Sequence, residues 1–101
     1  LRYYSLDPMI RSFACSKTAF FFENRKTRSF PPDIQRVALR KLAQLQAVTE
    51  LNHLSVPPGN RLEALKGNRK GQHSIRINDQ WRLCFVWKTD GPHEVEIVDY
   101  H

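Results

Sequence analysis

A change of hydrophobic period partway along the chain limits its fold more than any other feature. Ile34, Ala38, Leu42 and Leu45 return on one side of a 3.6-residue repeat, and Leu39 widens that stripe. Arg36 and Arg40 fall four apart on the opposite side. Further on, Trp81, Leu83, Phe85 and Trp87 alternate with Arg82, Cys84 and Val86, the period-two signature of a half-buried strand. Neither a striped helix nor a one-faced sheet is stable until its apolar side is covered. Helices that come first and consecutive strands that come after therefore predict an α+β fold. Two to three N-terminal helices pack on one face of a small, largely antiparallel sheet.

The punctuation between these runs fills in the rest. Residues 9–15 predict a short strand anchored by Ile10 and Phe13, and Ser16 or Thr18 caps a short helix through Glu23. Residues 24–30 form a basic loop carrying Arg25, Lys26 and Arg28. Pro31-Pro32 with Asp33 then starts the long helix, proline fitting its first turn and the carboxylate its dipole. A second short helix is expected over 48–54 with Thr49 as cap, ended by the loop 56–60. Strands are expected at 61–65, 72–77, 81–87 and 94–100, with turns at Asn78-Asp79 and Asp90-Gly91-Pro92. The basic loop 66–71 carries Gly67 and Gly71. No repeat or linker divides this pattern, so residues 9–101 read as a single domain. Residues 1–8 look separate, a vector-derived or upstream extension, because Met9-Ile10-Arg11-Ser12-Phe13 reads as a natural start. The alternative is an N-terminal arm made adhesive by Tyr3 and Tyr4.

A length of 101 residues supports one modest core. Sixteen Lys and Arg against ten Asp and Glu leave a net charge of +6, which points to a polyanionic partner, nucleic acid first. Charge alone describes a solvated basic surface equally well. No apolar run approaches the roughly 20 residues of a membrane helix, so no membrane partner is expected. Cys15 and Cys84 are too few for a disulfide framework and lack metal-site spacing. They read as small buried hydrophobes in a reducing cytoplasm.

Groups able to move protons or hold phosphate crowd into the last forty positions. Lys66, Arg69, Lys70, Arg76 and Arg82 supply positive charge, Glu63 precedes the basic loop, and Asp99-Tyr100-His101 follows the last strand. Cleavage of RNA by its own 2′-hydroxyl needs a base, a cation for the charge on phosphorus, and an acid for the leaving 5′-oxygen. His101 suits either proton role, Asp99 suits a base or an orienter of the imidazole, and Tyr100 can donate a hydrogen bond or stack on a base. Lys66 and Arg82 suit the phosphate. The route calls for no metal and no cofactor. Each group also has a plainer use: His101 as a surface residue, Tyr100 as a lid on the core, Arg82 as a stem covering the sheet, Glu63 as the partner of a nearby lysine.

These residues resemble a known family. Arg61-Leu62-Glu63-Ala64-Leu65-Lys66-Gly67-Asn68-Arg69-Lys70-Gly71, then Ser74 through Phe85 with its Trp81-Arg82 pair, then Val98-Asp99-Tyr100-His101 are similar to the HigB toxins. These are a branch of the RelE-like toxins, and the likeness is greatest to the GraT-like subgroup. The resemblance implies the RelE-like microbial ribonuclease fold and a ribosome-dependent endoribonuclease that cleaves mRNA in the A site. It implies a HigA-like helix-turn-helix antitoxin as partner, with operator DNA contacted only through the toxin–antitoxin complex. By position, Asp99, Tyr100, His101, Arg82 and Lys66 match the family's catalytic group. Arg61, Arg69, Lys70, Arg76, Arg36 and Arg40 are, by their charge, the further candidates for RNA or ribosome contact. One departure stands out: Glu63 occupies a position where the best-described members carry a catalytic histidine. A carboxylate there can act as a base, or can orient Lys66 and Arg82, but cannot carry positive charge. Competing readings are a ParE-like toxin that works by protein binding alone and a plain nucleic-acid-binding module.

Overall fold

The computed structural model describes residues 9–100. Two helices, α1 (Ser16–Asn24) and α2 (Pro32–Ala47), precede a four-stranded sheet of β1 (Glu63–Ala64), β2 (His73–Arg76), β3 (Trp81–Lys88) and β4 (Gly91–Asp99). The strands lie in the order β1-β2-β3-β4, and every neighbouring pair is antiparallel. The α+β architecture expected from the change of period is the one observed. Single 3-10 turns at Leu51–Ser55, Pro58–Asn60 and Gly67–Arg69 fill the connections. Among the described residues no helix is long and apolar enough to cross a membrane.

The long helix forms as its sequence dictates. Pro32 occupies its first turn with Asp33, and Ile34, Ala38, Leu42 and Leu45 are buried. They pack on Ile75, Ile77, Leu83, Phe85, Val95 and Ile97 of the sheet, with Leu39 alongside. Phe21 of α1 meets Phe30 edge-on with ring centroids 5.7 Å apart, and Phe30 meets Trp81 in the same way at 5.9 Å. This aromatic chain ties the loop between the helices to the start of β3. Burying side chains of this size stabilises by about 1.5–3 kcal/mol each.

Residues 9–15 depart from the expected strand. They run extended beside β4 but make only one ladder bridge, a parallel one between Phe13 and Val95. The cause lies in β4. Cys84 pairs with Glu96 and Val86 with His93, so Glu94 and Val95 together face Phe85 in a bulge. Glu94 takes a left-handed φ of 52° there. A kinked edge offers few groups in line. The amides of Arg11 and Ala14 reach the carbonyls of Pro92 and Val95, and the Val95 amide reaches the Ser12 carbonyl. Thr18 then takes over. It does not cap α1; it is buried, and its hydroxyl accepts the Ile97 amide at 3.1 Å. The N-cap position is held by Cys15, which is half-buried, whereas Cys84 is fully buried. Edge groups of β4 that would otherwise offer themselves to another chain are thereby covered.

Two further segments are shorter than expected. Residues 48–54 form no α-helix. The Asn60 side chain is fully buried and donates to the Leu54 carbonyl and to Gln44 Oε1, both at 3.0 Å, while Lys41 donates to Asn60 Oδ1. These bonds wrap the segment against α2 and sink Leu54 into the core, leaving a 3-10 turn without the side-chain cap expected of Thr49. Burial, then Arg40 and Arg76, push the Lys41 ammonium below its ordinary pKa. The expected strand 61–65 shrinks to β1 because Arg61 adopts a left-handed φ of 47°.

Candidate active site

The sheet has one apolar and one polar face. Register places Glu63, Ser74, Cys84 and Glu96 in one cross-strand row, and Arg76, Arg82 and Val98 in the next row of the same face. This is the face turned away from the helices. Arg82 is its centre. Its Nε donates to Ser74 Oγ at 2.7 Å and its Nη2 donates to the Arg61 carbonyl at 2.7 Å. The same Nη2 lies 3.3 Å from Glu63 Oε1. The Arg82 side chain is only 12% exposed, and its Cζ lies 6.0 Å from the centre of the Tyr100 ring. Among the described residues Nη1 has no acceptor.

Lys66 and the basic loop border this face. Lys66 is exposed, and its ammonium makes no hydrogen bond or ion pair among the described residues. Gly67 and Gly71 take φ values of +66° and +96°, which permit the tight path of the loop. Arg69 braces it, donating to Gln72 Oε1 at 3.0 Å and approaching Glu96 at 3.5 Å. Arg69 is thus partly committed within the protein, while Lys70 and the Arg61 side chain are exposed. Arg76 pairs with Asp79 across the β2–β3 turn. Arg36 and Arg40 are exposed on α2, on the helix side of the sheet and away from Arg82.

The terminal group is divided. Asp99 pairs in register with Trp81, so it belongs to the row opposite Arg82's face, whereas the ring of the next residue, Tyr100, lies beside Arg82. Gln80 Nε2 reaches both Asp99 carboxylate oxygens at 3.1 Å. His101 lies outside the described residues. Burial pushes the Cys84 thiol up to about 11, outweighing the opposing pull of Arg69, so this sulfur is neutral near pH 7 and has little nucleophilic character. Sequence reasoning missed Ser74, the Arg61 carbonyl and Gln80. Ser74 was within reach, since it alternates with Ile75 and so shares the face of Arg76. The other two depend on contacts between segments distant in sequence.

Comparison with known proteins now bears on this site. Residues 11–101 match the family described as the RelE-like toxin of the type II toxin–antitoxin system HigB. The chain belongs to the HigB-like toxin family. The HigB-like chain is 44% identical over 82 residues to Toxin HigB-1 of Vibrio cholerae, spanning 81% of this chain and 85% of that one. It is 31% identical over 94 residues to Endoribonuclease HigB of Proteus vulgaris, spanning 92% of this chain and all of that one. Its fold is similar to that of a YafQ mutant from E. coli, with a TM-score of 0.55 at 13% identity, covering 92% of this chain and 93% of that one. It is also similar to YoeB in the YoeB–YefM complex of Staphylococcus aureus, with a TM-score of 0.54 at 17% identity, covering 91% and 97%. A HigB-like toxin of a type II pair has an antitoxin as its partner.

Proposed function

We propose that this HigB-like toxin is an endoribonuclease that cleaves mRNA in the ribosomal A site and is neutralised by a HigA-like antitoxin. The observation that carries this reading is Arg82. A guanidinium fixed by Ser74, the Arg61 carbonyl and Glu63, and set beside an aromatic ring, is a preorganised receptor for a phosphate next to a stacked base. Family membership and the 31% identity to Endoribonuclease HigB support the same chemistry. Residues 9–101 make up the toxin domain in this reading, with residues 1–8 an extension.

In the reaction a base removes the proton from a 2′-hydroxyl. That oxygen attacks the adjacent phosphorus, and the 5′-oxygen leaves as it takes a proton from an acid. The products carry a 2′,3′-cyclic phosphate and a 5′-hydroxyl. Arg82 and Lys66 neutralise the charge that builds on the phosphate oxygens, and Tyr100 supports the flanking base. His101 takes one of the two proton roles and solvent water the other, with Asp99 holding the segment in place. Glu63 is read as the orienter of Arg82, because their 3.3 Å contact would be lost if it served elsewhere. Arg61, Lys70, Arg36 and Arg40 supply longer-range attraction to RNA and ribosome, whereas Arg69 and Arg76 chiefly brace loops. Operator DNA is reached only through the antitoxin.

The test is to incubate the purified toxin with translating ribosomes and map the mRNA ends. Cuts should fall within A-site codons, leave cyclic-phosphate ends, persist in chelator and be far slower on free mRNA, because the ribosome supplies the strand's geometry. Intact mRNA together with inhibited gyrase would replace this reading with a ParE-like one.

A further inference from the structure

Resting on the nuclease reading, we infer that Gln80 is a positioning residue that anchors the catalytic terminal segment to the β2–β3 turn. Its side-chain amide spans both oxygens of Asp99 at 3.1 Å, and its main-chain carbonyl accepts the Tyr100 amide at 2.6 Å. The turn itself is fixed. Asn78 Oδ1 accepts the amides of both Gln80 and Trp81, at 2.8 and 2.7 Å, and the Ile77 and Asn78 amides reach the Trp81 carbonyl. Trp81 is held in turn by Phe30. Gln80 therefore couples a rigid turn to the two residues where β4 ends.

The geometry explains why a glutamine is needed at this point. β4 ends at Asp99, so Tyr100 lies past the ladder, and its amide is held by the Gln80 carbonyl instead. The Tyr100 ring must nonetheless stay over Arg82 for the site to exist. Asp99 lies on the opposite face and cannot help by touching the phosphate side. Clamping its carboxylate fixes the backbone from which Tyr100 projects. A donor is required, since Asp99 is an acceptor when ionised, and the side chain must be long enough to bridge the turn to the strand end. Gln80 thus reaches the chemistry only indirectly, through Asp99 to the Tyr100 ring beside Arg82.

The experiment compares wild type, Gln80→Ala, Gln80→Glu, Asp99→Ala and the Gln80→Ala/Asp99→Ala double variant in single-turnover mRNA cleavage on saturating ribosomes. Loss of the clamp should slow Gln80→Ala by about 10- to 100-fold with ribosome affinity unchanged, the scale of small misplacements in a site. Gln80→Glu keeps the size but sets carboxylate against carboxylate, and should be slower still. In the Asp99→Ala background, Gln80→Ala should cost less than about twofold more, because the partner is already gone. Amide exchange at Tyr100 should accelerate in Gln80→Ala while the β3–β4 ladder stays protected. A wild-type rate in Gln80→Ala, or additive losses in the double variant, would overturn the inference. Should wild type not cut mRNA, the nuclease reading fails, and the exchange at Tyr100 alone decides the anchoring role: acceleration supports it and no change overturns it.

Discussion

Arg82 and Lys66 are the two cations assigned to the phosphate in the proposed reaction, and they are held in opposite ways. Arg82 sits in the middle of a three-strand stretch of sheet, with a side-chain hydroxyl, a backbone carbonyl and a carboxylate all directed at it. Lys66 stands before a glycine-bounded turn, exposed, with its ammonium unpartnered among the described residues. The difference is one of cost at the moment of reaction. A group already oriented and partly withdrawn from water stabilises developing charge without reorganising. A flexible lysine must lose side-chain entropy of up to about 2 kcal/mol to do the same. In the proposed reaction a fixed guanidinium is thus paired with an exposed ammonium that must be ordered by the substrate.

Substitutions can break or sharpen that contrast. The largest effect is expected at Arg82: Arg82→Ala should lower single-turnover cleavage by about 10²–10³-fold. Arg82→Lys should restore little, because an ammonium cannot bridge Ser74 and the Arg61 carbonyl while presenting a planar fork. Lys66→Ala should cost about 10- to 100-fold, and here Lys66→Arg should recover most of the loss, because the loop imposes no fixed geometry. Equal tolerance of the conservative swap at both positions would dissolve the distinction. Ser74→Ala should cost roughly tenfold in rate with binding preserved, the scale of one hydrogen bond to a charged group.

Smaller effects should appear away from the polar face. Arg36→Ala and Arg40→Ala should weaken ribosome binding in a salt-dependent manner and leave the saturated rate within about twofold. The smallest effect is expected at the hairpin between β3 and β4, at the end of the sheet remote from Tyr100. There the hydrogen bond from His93, then the nearby charges of His93 and Arg11, hold the Asp90 carboxyl below its ordinary value of 3.8. A carboxylate lowered in the folded state adds stability that is present above 3.8 and is lost as pH falls through the lower folded value. Asp90→Asn should therefore melt slightly earlier than wild type near neutrality, converge with it in strong acid, and cleave at the wild-type rate.

The fold was largely legible in the sequence because its signals are periodic. The stripe from Ile34 to Leu45 and the alternation from Trp81 to Trp87 need no partner to be seen. What escaped depends on where distant segments meet. Thr18 looked like a cap because helix starts favour threonine, but the amide it accepts belongs to Ile97, fixed by a bulge no local pattern announces. Asn60 looked like loop punctuation, yet its buried amide decides the path of residues 51–60. In the candidate site, Arg82 and Glu63 could be named from the sequence and Ser74 was within reach by alternation, while Gln80 became visible only through its contact with Asp99. The division of the terminal group was more accessible than it looked. Adjacent residues of a strand point to opposite faces, so Asp99 and Tyr100 could not both be directed at Arg82.

In the proposed reaction a preorganised guanidinium on the polar face of the sheet receives the scissile phosphate of ribosome-bound mRNA. Single-turnover cleavage of mRNA on saturating ribosomes, with ends mapped, tests it most directly when wild type and Arg82→Ala are compared and both are confirmed folded by thermal melts. The expected result is A-site cuts by wild type and a loss of at least about 10²-fold for Arg82→Ala at unchanged ribosome occupancy. Full-rate cleavage by Arg82→Ala would contradict it.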